Sequence, residues 1–332
     1  NDWIRGGVGL IKRTEQFAPA QRTSPLCRQS YISRLGRDMK RNYELYLLSI
    51  PILLYYIIFC YVPMYGVQIA FRDYSASRGI WGSEWVGMEH FMRFFKSYNC
   101  VQIIQNTLVL SLYTLAAGFP IPIIFAILIN EIRGSKLKKT VQMISYAPYF
   151  ISTVVLVGML ISFSSPSNGI INKLLGVVGI GPISFFAEPK WFKHIYVWSG
   201  IWQMVGWNSI IYISTLSSVD MQLYEAATVD GANKLQRIWH VDVPALMPTM
   251  IILLILNVGG LMNLGFEKIF AMQNSLNLSA SEVIATYVYK MGIEGSEYSY
   301  SSAIGLFNSV INCVLLVICN MVAKRIGETS LW

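Results

Sequence analysis

No residues in this sequence are arranged for bond-making chemistry. The three histidines, His90, His194 and His240, have no metal-like spacing. The five cysteines (Cys27, Cys60, Cys100, Cys313, Cys319) show neither C-x-x-C pairs nor a disulfide framework. Paired carboxylates, or a nucleophile beside a base, do not emerge. A phosphate-cradling G-x-x-x-x-G-K-[ST] loop is missing, and Gly179-Ile180-Gly181-Pro182 does not extend to G-x-G-x-x-G. The sequence thus predicts no catalytic residue, no metal and no cofactor held by this chain. What it offers is recognition. Trp202, Gln203, Trp207, Asn208, Tyr212, Asn257, Asn263 and Asn308 place rings and amides within apolar stretches. Rings stack on the apolar faces of sugars and amides pair with hydroxyls, so these eight are the candidate substrate path. The same residue types also bond helix to helix inside a membrane, and both roles stand open at each position.

A second group lies in the polar stretch 220–248. Asp220 is a good N-cap for a helix over 223–229, its carboxylate accepting from otherwise unpaired N–H groups. Gly231 suits the left-handed residue that ends a helix without steric cost. A second short helix over 234–241 is expected to stop before Pro244, because a residue preceding proline avoids the α region. The unit reads as helix, sharp turn, helix at a membrane surface.

The elements that must position both groups follow from composition. Of 332 residues, 54% are hydrophobic and 13% charged, about half the charge of soluble domains, and mean hydropathy is +0.47. This describes an all-α, polytopic membrane protein. Six uncharged apolar segments, 45–71, 106–130, 141–165, 195–219, 245–266 and 302–323, each reach the roughly 20 residues needed to cross a bilayer. Gly118, Pro120 and Pro122 are expected to break or bend the second. An even count puts both termini on one side. The side holding the termini and the 220–248 loop carries 17 basic residues against 9 on the other, which places it in the cytoplasm. Residues 1–44 form a basic cytoplasmic arm facing anionic lipid, 45–324 the membrane domain, and 325–332 a cytoplasmic tail. No cleavable signal peptide is expected in the arm, and without stacking aromatics or a folded basic domain it is not a nucleic-acid binder. Outside, a short helix should present residues 88, 91, 92 and 95 to the membrane, and a second loop, 166–194, combines glycine turns with interfacial aromatics. These loops hold eight acids and nine bases, so no strong field selects an anion. No charged residue lies inside the six segments, unlike ion-coupled secondary transporters, so energy must come from another polypeptide.

The polar loop carries a resemblance. Glu225-Ala226-Ala227, then Gly231, then Val241-Asp242-Val243-Pro244 is similar to the EAA motif of permease subunits of binding-protein-dependent ABC importers, with valines where that pattern has Ile or Leu. Asp38-Met39-Lys40-Arg41-Asn42-Tyr43, Pro63-Met64-Tyr65-Gly66, Val86-Gly87, Gly265-Phe266-Glu267-Lys268 and Ser330-Leu331-Trp332 extend it over nearly the whole chain. They resemble the polysaccharide branch of carbohydrate permeases, which includes permeases for alginate oligosaccharides. The resemblance implies a type I importer permease fold in a bacterial cytoplasmic membrane. It also implies a heterodimer with a second permease, two ATPase subunits that bind the ATP and Mg, an external solute-binding protein, and a neutral or acidic oligosaccharide as substrate. Tyr224, Glu225, Ala226, Ala227, Asp230, Gly231 and Pro244 become the ATPase-coupling residues. An ion-coupled secondary transporter and an importer of a non-sugar solute are the alternatives.

Overall fold

The computed structural model describes residues 40–326. Most of the basic arm with Cys27, the Asp38-Met39 end of its motif, and the tail with Ser330-Leu331-Trp332 lie outside them. The chain divides into two units, up to Met64 and from Tyr65 onward. The described part of the first is most of helix α1 (Tyr43–Phe71, 29 residues), whose most apolar stretch is 0% buried.

The second unit is helical apart from a two-residue antiparallel ribbon, β1 (Arg72–Asp73) with β2 (Glu84–Trp85). Helix α2 (Glu89–Lys96) follows. The buried face of α2 is Phe91 and Phe94, whereas Met88, Met92 and Phe95 are exposed. Of the expected face of 88, 91, 92 and 95, only Phe91 is turned inward, and Phe94 joins it. Phe94 turns inward because Tyr287 and Phe307 give it ring partners, which a strip of local sequence does not reveal.

Helix α3 (Cys100–Asn130) is one 31-residue span. Its only interruption is Phe119, and Pro120 starts the renewed helix, where a missing N–H costs nothing. The third apolar segment is not one straight span. It is two helices, α4 (Ser135–Phe150) and α5 (Thr153–Phe163), bent by 97°. Pro148 tightens the end of α4 into a 3₁₀ turn. Ile151 and Ser152 are extended, and the Ser152 hydroxyl caps α5 by accepting from Val155 N at 3.4 Å.

Short helix α6 (Ile170–Val177) leads to α7 (Pro189–Ser217), 29 residues long. Helix α8 (Met221–Val229) precedes α9 (Lys234–Gly259), then α10 (Phe266–Met272), α11 (Ile284–Tyr289) and α12 (Tyr298–Ile326). Among the described residues, α1, α3, α9 and α12 are long and apolar enough to cross a membrane, and the α4–α5 pair makes five. Helix α7 has the length, but its Trp, Gln, Asn and Ser residues dilute its apolarity.

Where α4 crosses α7, Gly206 is indispensable. A Cβ there would lie 2.1 Å from the Ser145 carbonyl oxygen. One apolar cluster joins α3, α7 and α9 through Ala126, Ile129, Tyr212, Ile213, Leu216 and Leu246. Another joins α3, α11 and α12 through Ile103, Ile284, Tyr287 and Ile304.

Candidate functional site

The structure separates the two groups of candidate residues into a loop and a cavity. At the loop, Asp220 caps α8 as its sequence suggests, its carboxylate accepting from Gln222 N at 2.9 Å. Gly231 adopts φ +78°, a conformation open to glycine at no cost. Asn233 then starts α9 with a capping box, in which Asn233 Oδ1 accepts from Gln236 N at 2.9 Å and Gln236 Oε1 from Asn233 N at 2.7 Å.

The second loop helix does not stop before Pro244. It runs through a π turn, Ile238–Asp242, straight into the long apolar part of α9. In that turn the Val243 N–H bonds to Ile238 O, one residue further back than in an α-helix. The wider turn relieves the clash a proline ring makes with the carbonyl four residues earlier.

Glu225, Ala226, Asp230, Gly231 and Pro244 are exposed, and Ala227 is half-buried. Around them Leu223, Val229, Leu235 and Trp239 also stand exposed, with Trp239 at 70%. The motif itself gives these apolar side chains no role.

Tyr224 points the other way. Its hydroxyl donates to Asp242 Oδ1 and accepts from Asn130 Nδ2 at 3.5 Å. Burial, then the Asp242 carboxylate, push the Tyr224 phenol up to about 12. Beside it Arg237 lies 3.8 Å from Glu131. Asn130, Glu131 and Arg237 are not singled out by sequence, and Asp242 enters there only as one position of the motif, with no role of its own.

The cavity, of about 600 Å³, lies among α3, α7, α9 and the turn after α9. Of the eight path candidates, Trp207, Asn208, Tyr212, Asn257 and Asn263 line it. The Trp207 indole lies flat on Tyr149, 4.0 Å between centroids and 3° between planes. Asn208 is exposed and makes no hydrogen bond within the described residues, so its whole amide is open to a ligand. Asn257 spends one donor on Leu253 O at 2.7 Å.

The other three candidates are placed elsewhere. Trp202 is half exposed off the cavity wall. The Gln203 amide donates to Ile151 O at 2.8 Å, satisfying the carbonyl freed at the α4–α5 break. Asn308 donates to Asn263 Oδ1 at 3.2 Å, and Asn312 donates to the same oxygen at 3.0 Å, so both fasten the turn after α9 to α12. Tyr196, Ser111 and Thr114 line the cavity without having been foreseen. Just outside, the Lys268 ammonium donates to Tyr196 O at 3.0 Å, and burial lowers it to about 8.

Comparison with known proteins fits this geometry. Residues 104–328 match the family model described as binding-protein-dependent transport system inner membrane component. The chain is 43% identical to Protein LplB of Bacillus subtilis (strain 168), covering 96% of this chain and 100% of that one. It is 38% identical to the polygalacturonan/rhamnogalacturonan transport system permease protein YteP of the same strain, over 97% and 100%. Among solved structures, a chain of a bacterial alginate ABC transporter in complex with alginate pentasaccharide-bound periplasmic protein superposes with a TM-score of 0.83. That chain is 37% identical, with 90% of this chain and 100% of that one covered.

Proposed function

The chain belongs to the family of binding-protein-dependent transport system inner membrane components, and on that premise we propose that it is one permease subunit of an ATP-driven oligosaccharide importer. In this reading a solute-binding protein delivers the sugar from outside. A second permease completes the path, and two ATPase subunits hold the ATP and Mg. Both termini and the α8–α9 loop face the cytoplasm, in keeping with the 17-to-9 excess of basic residues on that side.

The observation that carries the reading is the loop's outer face. Glu225, Ala226, Leu223 and Val229 stand exposed on α8, and Leu235 and Trp239 on the start of α9. Isolated apolar side chains need no explanation, but five on one two-helix projection, with Glu225 beside them, form a docking face for a protein. Ala226 lets the partner's backbone approach, and Glu225 offers it a carboxylate.

Acidic oligosaccharides are the favoured substrates, because one similar protein is a polygalacturonan/rhamnogalacturonan permease and another belongs to an alginate transporter. The cavity's ring of Trp207 and the open amide of Asn208 suit sugar faces and hydroxyls. Uptake into proteoliposomes holding both permeases and the ATPase, with the binding protein outside, tests the reading. Labelled uronate oligosaccharide should enter only with ATP inside. Uptake that persists without the ATPase, or none for any oligosaccharide, overturns it.

A further inference from the structure

A force applied to α8 must reach the spans. Its only covalent route forward is the turn after Asp230, whose pivot, Gly231, sits at φ +78° with no atom within 4 Å of a would-be side chain. Such a pivot bends. A push on α8 would fold the loop rather than move α9 unless the two helices were fastened at a second point.

The second point is present. Tyr224, midway along α8, donates its hydroxyl to Asp242 Oδ1 across eighteen residues of chain. Asp242 belongs to the π turn at the start of α9 and is 0% exposed. The extra residue of that turn rotates the helix that follows, which places this carboxylate inward under Tyr224 rather than toward water. Its other oxygen, Oδ2, is buried without a hydrogen-bond partner among the described residues. A buried carboxylate half satisfied in this way costs stability, so packing alone does not account for it. The cytoplasmic end of α3 closes the junction, with Asn130 Nδ2 on the Tyr224 oxygen at 3.5 Å and Glu131 facing Arg237 at 3.8 Å.

We propose that the Tyr224–Asp242 hydrogen bond is the fastening that makes α8 and the start of α9 move as one body, so that Tyr224 is an internal transmission residue and not a contact to the ATPase. This rests on the proposed function for the motion it transmits, while the bond itself does not. The high proton affinity of the Tyr224 phenol keeps it a donor across the physiological range.

Four forms of the full complex test it: wild type, Tyr224→Phe, Asp242→Asn and the double variant Tyr224→Phe with Asp242→Leu. Asparagine keeps an acceptor for Tyr224, so Asp242→Asn should retain wild-type stimulation of ATP hydrolysis by loaded binding protein. Tyr224→Phe and the double variant should assemble, yet transport about five- to tenfold less sugar per ATP, the scale of one coupling interaction. The double variant replaces the polar pair by apolar groups and so removes the buried-charge penalty that a purely structural role would feel. Normal stimulation and uptake in the double variant overturns the proposal.

Spin labels at Val229 and Met247, both exposed, give a readout independent of activity. Wild type should show one narrow distance that ATP leaves unchanged, and Tyr224→Phe a broadened one. A narrow distance in Tyr224→Phe, or a Tyr224→Phe complex that fails to assemble, also overturns the proposal. Wild-type complex without ATP-dependent uptake instead defeats the functional reading, and leaves the distance measurement to judge the fastening.

Discussion

The loop between α7 and α9 and the cavity between α3, α7 and α9 carry their specificity in different ways. The loop is made of backbone-determined positions: a cap at Asp220, a left-handed glycine at Gly231, a capping box at Asn233 and Gln236. Each depends on a few neighbours in sequence. The cavity is made of side chains whose roles are assigned by distant partners. Gln203 and Asn208 are amides five residues apart on one helix, yet the first closes a helix break and the second is left open. Local chemistry fixes the loop; packing distributes the cavity.

The largest effect should come where packing places a cavity ring. Gly206→Val puts carbon atoms into the Ser145 carbonyl, 2.1 Å from even a Cβ, and α7 must leave α4. Overpacking of this kind costs about 1–3 kcal/mol or more. The expected outcome is loss of the assembled complex in detergent, seen by size-exclusion chromatography, together with loss of the Trp207–Tyr149 stack. A monodisperse, wild-type-like complex would show that this contact positions nothing.

At the loop, Gly231→Val forces a β-branched residue to φ +78°, at a cost of about 1–2 kcal/mol. The bundle does not rest on this turn, so assembly should survive while stimulation of ATP hydrolysis by loaded binding protein is lost. Full stimulation would remove the turn from the account.

Within the cavity, Trp207→Ala deletes one stacking face. A ring contact worth about 0.5–1.5 kcal/mol corresponds to an apparent KM for uptake raised about two- to tenfold, with maximal uptake less affected. An unchanged KM would leave Trp207 a purely structural partner of Tyr149.

The last effect is read in stability rather than in transport and concerns Lys268 beside the cavity. Burial lowers its ammonium from 10.5 to about 8, so the unfolded chain binds more protons between those pH values. The stability of wild type relative to Lys268→Met should rise as pH climbs through that window, and stay flat below about 8. Thermal midpoints of the two complexes in detergent, compared from pH 7 to 10, check this. A constant difference would mean that Lys268 is not desolvated.

Much of this was legible in the sequence. Apolar length located α1, α3, α9 and α12, with α1 and α12 within a few residues, whereas α9 begins and ends well before the expected 245–266. Asp220 and Gly231 announced their conformations because no other part of the chain competes for them. Three features were hidden for physical reasons. The 97° break between α4 and α5 needed Pro148 together with Gln203, fifty residues away, to take up the exposed carbonyl. The continuity of α9 through Pro244 needed a π turn, which local propensity does not foretell. The resemblance assigns Tyr224 to the ATPase, and its bond to Asp242 is hidden because that partner lies a whole helix later. Of the path amides, Asn263 and Asn308 bond to one another, as amides within a membrane must find partners, and Asn208 alone makes no hydrogen bond among the described residues.

The central claim is that the outer face of α8 meets an ATPase in the cytoplasm. A cysteine in place of Ala226, exposed in the structure, tests it most directly. In cells carrying the whole complex, a bifunctional reagent should link that cysteine to the ATPase subunit, and a membrane-impermeant maleimide added outside should not reach it. Labelling from outside, or no ATPase adduct when the complex is intact, would contradict the account.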